Sequence, residues 1–105
     1  MNNRQTKDLL YEQVARIGKA FASPKRLELL EMLAQGEKTV DALAVVLSID
    51  IKLASAHLKA LRDARLVTSR REGKFIHYRL TGPDVAGLGV KLREVAGEHL
   101  LELRL

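Results

Sequence analysis

Residues 50 to 80 read DIKLASAHLKALRDARLVTSRREGKFIHYRL, and the rest of the chain is organised around this stretch. At about 100° per residue, its first half predicts a helix whose inner side is aliphatic, formed by Ala54, Leu58 and Leu61. The opposite side is short-chained and basic, with Lys52, Ser55, Ala56 and Lys59. A side without large apolar groups near its middle can approach another surface closely.

The second half of the stretch predicts a β-hairpin. Two sets of residues alternate with the period of a half-buried strand: Ile76, Tyr78 and Leu80 against Phe75, His77 and Arg79. Glu72 and Gly73 are predicted to form the turn, because glycine supplies the backbone freedom that a chain reversal needs.

Positive charge is concentrated in the same stretch. Residues 52 to 79 carry eight Lys or Arg and two acids, a net charge of +6, whereas the whole chain of 105 residues carries +5. A helix followed by a basic hairpin fits duplex DNA, with the helix in the major groove and the hairpin cations on phosphates. We therefore expect DNA contacts from nine residues: Lys52, Ser55, Ala56, His57, Lys59, Arg62, Arg70, Arg71 and Lys74.

The roles of the helix residues differ. Lys52 and Ser55 are expected to reach base edges, and Ala56 a thymine methyl group. Lys59 and Arg62 are expected to meet phosphate.

Two alternatives stay open in this set. His57 lies at the border of the two helix faces, where a phosphate or base contact and a half-buried structural histidine are equally good interpretations. Arg70, Arg71 and Lys74 could simply solubilise the hairpin tip. We favour phosphate or minor-groove contact for these three, because three cations at one tip repel each other unless they meet anions.

The chain predicts a single domain over residues 1–105 that is mainly α with a small β-hairpin wing (α+β), a winged helix-turn-helix. The helix-turn-helix covers about 40–65 and the wing about 66–80. Helices at about 7–22 and 84–105 are expected to form a dimer interface.

Helix starts and inward positions follow from local signals. Ser23, Thr39 and Asp50 are predicted N-caps, and Pro24 suits a first helical position. Five leucines are predicted to point into the core: Leu27, Leu30, Leu33, Leu43 and Leu47.

The last helix argues for a second copy of the chain. Its stripe of Val85, Leu88, Leu92, Val95 and His99 is joined by further leucines near the end, so that more than one side is apolar. The simplest assembly is a two-fold dimer with the first helix as neighbour. Such a dimer places two recognition helices one DNA turn apart, where they read a near-palindrome.

Composition excludes several functions. The chain has no cysteine, which removes disulfides and thiolate metal sites. It has no apolar run of roughly 20 residues, and its polar start has no signal core, so a cytoplasmic protein is expected. No glycine-rich phosphate loop or nucleophile set is present, and we expect neither catalysis nor a cofactor.

The ordered motifs together resemble the ArsR/SmtB family of winged-helix repressors. They are FASPKRLELL at 21–30, Leu43-Ala44, SAHLKALRDARLV at 55–67 and REGKFIHYRL at 71–80. The resemblance implies a homodimer that binds operator DNA and represses transcription until an inducer, often a metal ion, releases it. The sequence does not specify which inducer this is.

This sequence departs from the metal-sensing members. The third helix, predicted at 40–47, lacks the cysteine motif that such members often place there. Another family site pairs Asp and His of the last helix across the dimer, but the usual His two residues after Asp84 is Ala86. Asp84, His99 and Glu102 are the remaining candidates for a metal shared across the dimer, but we favour the interpretation of His99 as an interface residue and expect no metal site. Some cysteine-free relatives carry a rhodanese domain after this type of winged helix. Because the chain ends in mid-pattern, a longer native protein is a hypothesis, and the sequence leaves open whether the chain continues past Leu105.

A protein of another class would also fit the fold. A winged-helix module could mediate dimerisation or protein interaction without reading DNA. Such a docking face is expected to present aromatic or leucine anchors, whereas the outer side of residues 52–59 is basic.

Overall fold

The computed structural model describes residues 2 to 104. Eight elements follow one another: α1 (Asn3–Phe21), α2 (Pro24–Ala34), β1 (Lys38–Thr39), α3 (Val40–Leu47), α4 (Ile51–Asp63), β2 (Val67–Glu72), β3 (Phe75–Leu80) and α5 (Pro83–Arg104). The prediction of a mainly helical fold with a β wing is confirmed. Within the described residues, no helix has both the length and the apolar content needed to cross a bilayer.

Capping side chains set the starts of the helices around the predicted turn. The Thr39 hydroxyl accepts a hydrogen bond from the Ala42 amide at 3.1 Å, and the Asp50 carboxylate accepts one from the Lys52 amide at 2.7 Å. Ser48 ends α3 in a left-handed conformation, with φ of +53°. The predicted N-caps and the helix-turn-helix are therefore confirmed.

The core lies between α2, α3, α4 and the inner side of the hairpin. Leu58 and Leu61 of α4 are fully buried, together with Leu43 of α3. Leu30 and Leu33 are buried as predicted, whereas Leu27 is only partly buried and Leu29, which was not predicted, is fully buried. In α2 the core therefore faces Leu29, Leu30 and Leu33.

The hairpin belongs to a three-stranded antiparallel sheet in the order β1-β3-β2. Glu72 pairs with Phe75, so the turn residues are Gly73 and Lys74 rather than the predicted Glu72 and Gly73. Gly73 takes the positive φ of +61° at the first turn position, which is the glycine-first pattern of a tight hairpin. The two-residue strand β1 was not predicted, because two residues are too short for a period.

The first helix begins earlier than predicted. The expected start was near residue 7, but α1 begins at Asn3 because Asn2 and Gln5 form a reciprocal capping box. The Asn2 side chain accepts from the Gln5 amide at 2.8 Å, and the Gln5 side chain accepts from the Asn2 amide at 2.9 Å. Residues 3–6 are thus helical rather than frayed.

Candidate nucleic-acid interface

The two sides of α4 differ as the sequence predicts. Ala54, Leu58 and Leu61 have no exposed surface. The four residues predicted for the outer side are exposed: Lys52, Ser55, Ala56 and Lys59. Within residues 2–104, the protein's own chain therefore leaves this side open to a partner.

Two exposed aliphatic residues of α4 were missed, Ile51 and Leu53. Ile51, the first residue of the helix, is 45% exposed and lies one turn before Ser55 on the same side. The N-terminal residues of a recognition helix are the ones that meet base edges, and an aliphatic side chain can contact a thymine methyl group. The position of Ile51 directly after the Asp50 cap was the sequence signal that could have identified this residue.

A side-chain contact joins the end of α4 to the wing. Arg62 Nη1 donates to Ser69 Oγ of β2 at 3.3 Å. The helix and the hairpin are therefore neighbouring parts of one surface, and the exposed guanidinium of Arg62 lies at their junction.

The strand register separates the two wing arginines. Arg70 pairs with His77, and Arg71 pairs with Ile76. Since successive side chains of a strand point to opposite faces, Arg71 shares the face of Ser69, which contacts α4, while Arg70 lies on the other face. The sequence argument placed both arginines at one tip, and the structure does not bring them together.

Arg70 already has anionic partners inside the protein. Its Nη2 and Nε donate to the two carboxylate oxygens of Glu37 at 2.7 and 3.2 Å, and its Nη1 donates to Glu72 at 2.6 Å. These bonds lower the pKa of Glu37 and of Glu72, and they raise the pKa of Arg70. The premise that all three wing cations need external anions is therefore wrong for Arg70.

The third wing cation, Lys74, occupies the second turn position. Its Nζ lies 5.4 Å from the centroid of the Phe75 ring, within the range of a cation–π contact. The residue is exposed, and so is Arg71. Both side chains are open to a duplex next to α4.

His57 is half-buried against Arg26 of α2. Arg26 Nη1 lies 3.5 Å from His57 Nδ1, while the same guanidinium donates to the Ala20 carbonyl at 2.6 Å and to the Lys19 carbonyl at 3.1 Å. Burial first, and the Arg26 charge second, lower the pKa of His57. This geometry favours the structural interpretation of His57.

Arg26 and Glu37 were both missed by the sequence reasoning. Arg26 lies 31 residues before His57, and Glu37 lies 33 residues before Arg70. No local pattern connects positions so far apart, so neither contact had a sequence signal.

The metal candidates do not converge within one protomer. In the part of the chain that the structure describes, no three His, Cys, Asp or Glu side chains are grouped to hold an ion. Asp84 and His99 both lie on α5, about 22 Å apart at the rise of an α-helix. A site shared between two protomers by Asp84, His99 and Glu102 stays the less favoured alternative to an interface role for His99.

Comparison with protein families and curated relatives gives a consistent result. The model of the family described as bacterial regulatory protein, arsR family, matches residues 23–69. The HTH-type transcriptional regulator Rv0324 of Mycobacterium tuberculosis is 46% identical over 97 residues, which are 92% of this chain and 43% of that protein. This chain thus spans less than half the length of that relative. The arsenical resistance operon repressor of Bacillus subtilis is 36% identical over 85 residues, 80% of this chain and 81% of the repressor.

Solved structures share the fold. A homodimeric winged helix-turn-helix DNA-binding domain from Mycobacterium bovis superposes with a TM-score of 0.83 at 46% identity, covering 95% of this chain and 91% of that one. The transcriptional repressor BigR from Xylella fastidiosa gives a TM-score of 0.74 at 33% identity, covering 90% and 96%.

Proposed function

The chain belongs to the ArsR family of bacterial regulatory proteins, as a winged helix-turn-helix domain of a transcriptional regulator, and we propose that it acts as a homodimeric repressor of operator DNA. The observation that carries this proposal is the open outer side of α4, which is basic, short-chained and adjacent to the wing. A protein of this kind acts in the cytoplasm, and release from DNA by an inducer is part of the proposal.

The proposed contacts fall into two groups. Lys52, Ser55 and Ala56 read base edges in the major groove, with Ile51 beside them. The cations that hold the backbone are Lys59, Arg62, Arg71 and Lys74. Phosphate contacts supply affinity but carry little sequence information. Loss of a phosphate contact should therefore weaken binding to all sequences, whereas loss of a base contact should reduce discrimination between sequences.

His57 and Arg70 have different places in this scheme. The His57 ring contacts Arg26, and the Arg70 guanidinium donates to the carboxylates of Glu37 and Glu72. Both residues were predicted to contact DNA. We now propose that they affect DNA binding indirectly, because each packs against other residues of the protein rather than against the duplex.

Substitutions in the two groups test the proposal. Ser55→Ala or Lys52→Ala should relax discrimination by about 1–3 kcal/mol at one base position, because a base-edge contact is lost. Lys74→Ala should weaken binding to all sequences alike and lower the slope of log affinity against log salt by about 0.9 per protomer. Binding of each variant to an operator and to its single-base variants, over a series of salt concentrations, measures both effects.

Two outcomes would contradict these roles. One is an equal loss on every sequence for Ser55→Ala. The other is a wild-type protein whose affinity for duplex DNA is absent at low salt, which would favour the alternative of a winged-helix interaction module.

The class of inducer has a separate test. Titration with Zn²⁺ or Ni²⁺ while DNA affinity is followed distinguishes a repressor released by metal from one released by another compound. A metal-linked release that Asp84→Asn and His99→Gln abolish would support the alternative of a metal site between protomers.

A further inference from the structure

One face of the wing carries a connected set of charged side chains that the DNA contacts do not use. We call it the outer face of the wing, formed by Thr68, Arg70 and Glu72 of β2 and by Phe75, His77 and Arg79 of β3. The opposite face contains the buried Val67 and Tyr78. Because Ser69 on that opposite face contacts Arg62 of α4, the outer face points away from the recognition helix.

The backbone support of the wing ends at the level of Arg70. Strand β1 contributes two pairs to the sheet, Lys38 with Tyr78 and Thr39 with His77. His77 is also the partner of Arg70 on β2. Within the described residues, the hairpin beyond this row therefore consists of two strands alone, and an isolated two-stranded hairpin is only marginally stable in water.

Arg70 bridges the sheet in this last supported row. Its guanidinium holds Glu37 in the segment before β1 through two parallel bonds of 2.7 and 3.2 Å, and Glu72 through one of 2.6 Å. His77 lies between the two acids and is mostly buried. Its Nδ1 lies 3.8 Å from the Glu37 carboxylate, and its Nε2 lies 3.8 Å from the Glu72 carboxylate. A planar, two-point arginine–carboxylate contact fixes both distance and orientation.

The arrangement differs from an ordinary surface ion pair because it joins distant segments. Glu37 lies 33 residues before Arg70 and precedes a different strand. Each of the three guanidinium nitrogens already donates to a carboxylate. The Arg70 guanidinium faces two carboxylates, which weakens its attraction for phosphate, and Arg79 on the same face also acts on Glu37.

We propose that Arg70 is a positioning residue that fastens the wing to the segment before β1, and that it sets where Arg71 and Lys74 meet the duplex without touching phosphate itself. This inference rests on the proposed DNA-binding function. It separates two neighbouring arginines by role: Arg71 holds DNA, and Arg70 holds the wing.

The neighbouring arginines provide a matched pair of variants for the test. Arg70→Gln and Arg71→Gln make the same chemical change one residue apart on opposite faces, and Glu37→Gln removes the other end of the bridge. Two properties of the intact dimer are measured: amide hydrogen exchange of residues 71–76 in the free protein, and the salt slope of its affinity for duplex DNA.

We expect the variants at positions 70 and 37 to differ from the variant at position 71 in both measured properties. Arg70→Gln and Glu37→Gln should each speed amide exchange at residues 71–76 several-fold, and the double variant should add little. Both should weaken DNA affinity, because a loosened wing must be ordered on binding, while the salt slope should stay unchanged. Arg71→Gln should leave exchange unchanged and lower the salt slope by about 0.9 per protomer, or about 1.8 per dimer.

Different results would overturn the inference. Unchanged wing exchange in Arg70→Gln or in Glu37→Gln would show that the bridge does not hold the wing. A salt slope lowered equally by Arg70→Gln and Arg71→Gln would make Arg70 a phosphate contact. Since amide exchange is measured without DNA, absence of DNA binding by the wild type would refute the proposed function while the wing bridge was still tested.

Discussion

Two exposed surfaces of this domain have opposite chemistry. The outer side of α4 presents Lys52, Ser55 and Lys59, which are polar or charged. Along α1 and α5, among charged and polar neighbours, many large aliphatic residues are exposed, and Val14 and Leu92 are 51% and 43% accessible. The first surface is suited to a polyanion and the second to another apolar surface.

The burial of α1 strengthens this contrast. In the described part of the chain, the buried residues of this 19-residue helix are Ala20 and Phe21 at its C-terminal end. The rest of an amphipathic helix needs a surface to cover its apolar stripe. One protomer thus buries the apolar side of α4 but leaves apolar residues of α1 and α5 uncovered, which fits a homodimer that presents two copies of the DNA-binding side.

The largest effect is expected from a charge placed on the incomplete surface. Val95→Glu on α5 should convert the dimer into a monomer, because an unpaired carboxylate would be buried between protomers. DNA affinity should then fall on the order of 100-fold or more, since binding through two linked half-sites is lost. Sedimentation velocity and DNA titration measure the two effects.

Val45→Glu on α3 is the matched control for this substitution. Val45 is 78% exposed and belongs to α3, which is separated in sequence from both α1 and α5. A dimer that survives Val95→Glu, or one that Val45→Glu dissociates equally, would contradict the assignment of the apolar surface.

The two sides of α4 should respond differently to truncation. Leu58→Ala should lower the free energy of unfolding by about 2.7–5 kcal/mol, because a fully buried leucine leaves a cavity. Lys59→Ala should change stability little and weaken DNA binding instead. Urea unfolding of the dimer at one protein concentration compares them, and a similar stability loss in both variants would argue against the observed orientation of α4.

The smallest expected effect concerns pH. Burial and the Arg26 charge lower the pKa of His57 below its ordinary value of 6.5. As pH falls through 6.5, the unfolded chain binds a proton that the folded chain still resists, so His57 should reduce the free energy of unfolding between 6.5 and the lower folded pKa. Above 6.5 its contribution should be constant.

Two measurements check this dependence. Titration of the His57 imidazole by NMR gives its pKa in the folded protein, and urea unfolding at several pH values gives the stability. His57→Gln should remove this part of the pH dependence. A measured pKa at or above 6.5 would contradict the packing of His57 against Arg26.

The sequence predicted the features that depend on local pattern. The faces of α4 follow from a helical period, and the starts at Thr39 and Asp50 follow from side chains that cap their own helices. The capping box of Asn2 and Gln5 had a signal of the same kind, but it was overlooked because the surrounding residues are polar.

The sequence could not predict contacts that only the assembled fold creates. Arg70 and Arg71 look equivalent in the sequence until the register with His77 and Ile76 places them on opposite faces. Glu37 meets Arg70 only because β1 joins the sheet beside β3. The nature of the wing cluster therefore became visible only in three dimensions.

In the proposed complex, two copies of α4 and of the wing bind one duplex. Selection of bound sequences from a random duplex pool shows whether they do. We expect an inverted repeat whose half-site centres lie one helical turn, about 10–10.5 base pairs, apart. A recovered motif without two-fold symmetry, or a pool with no enrichment at low salt, would contradict it.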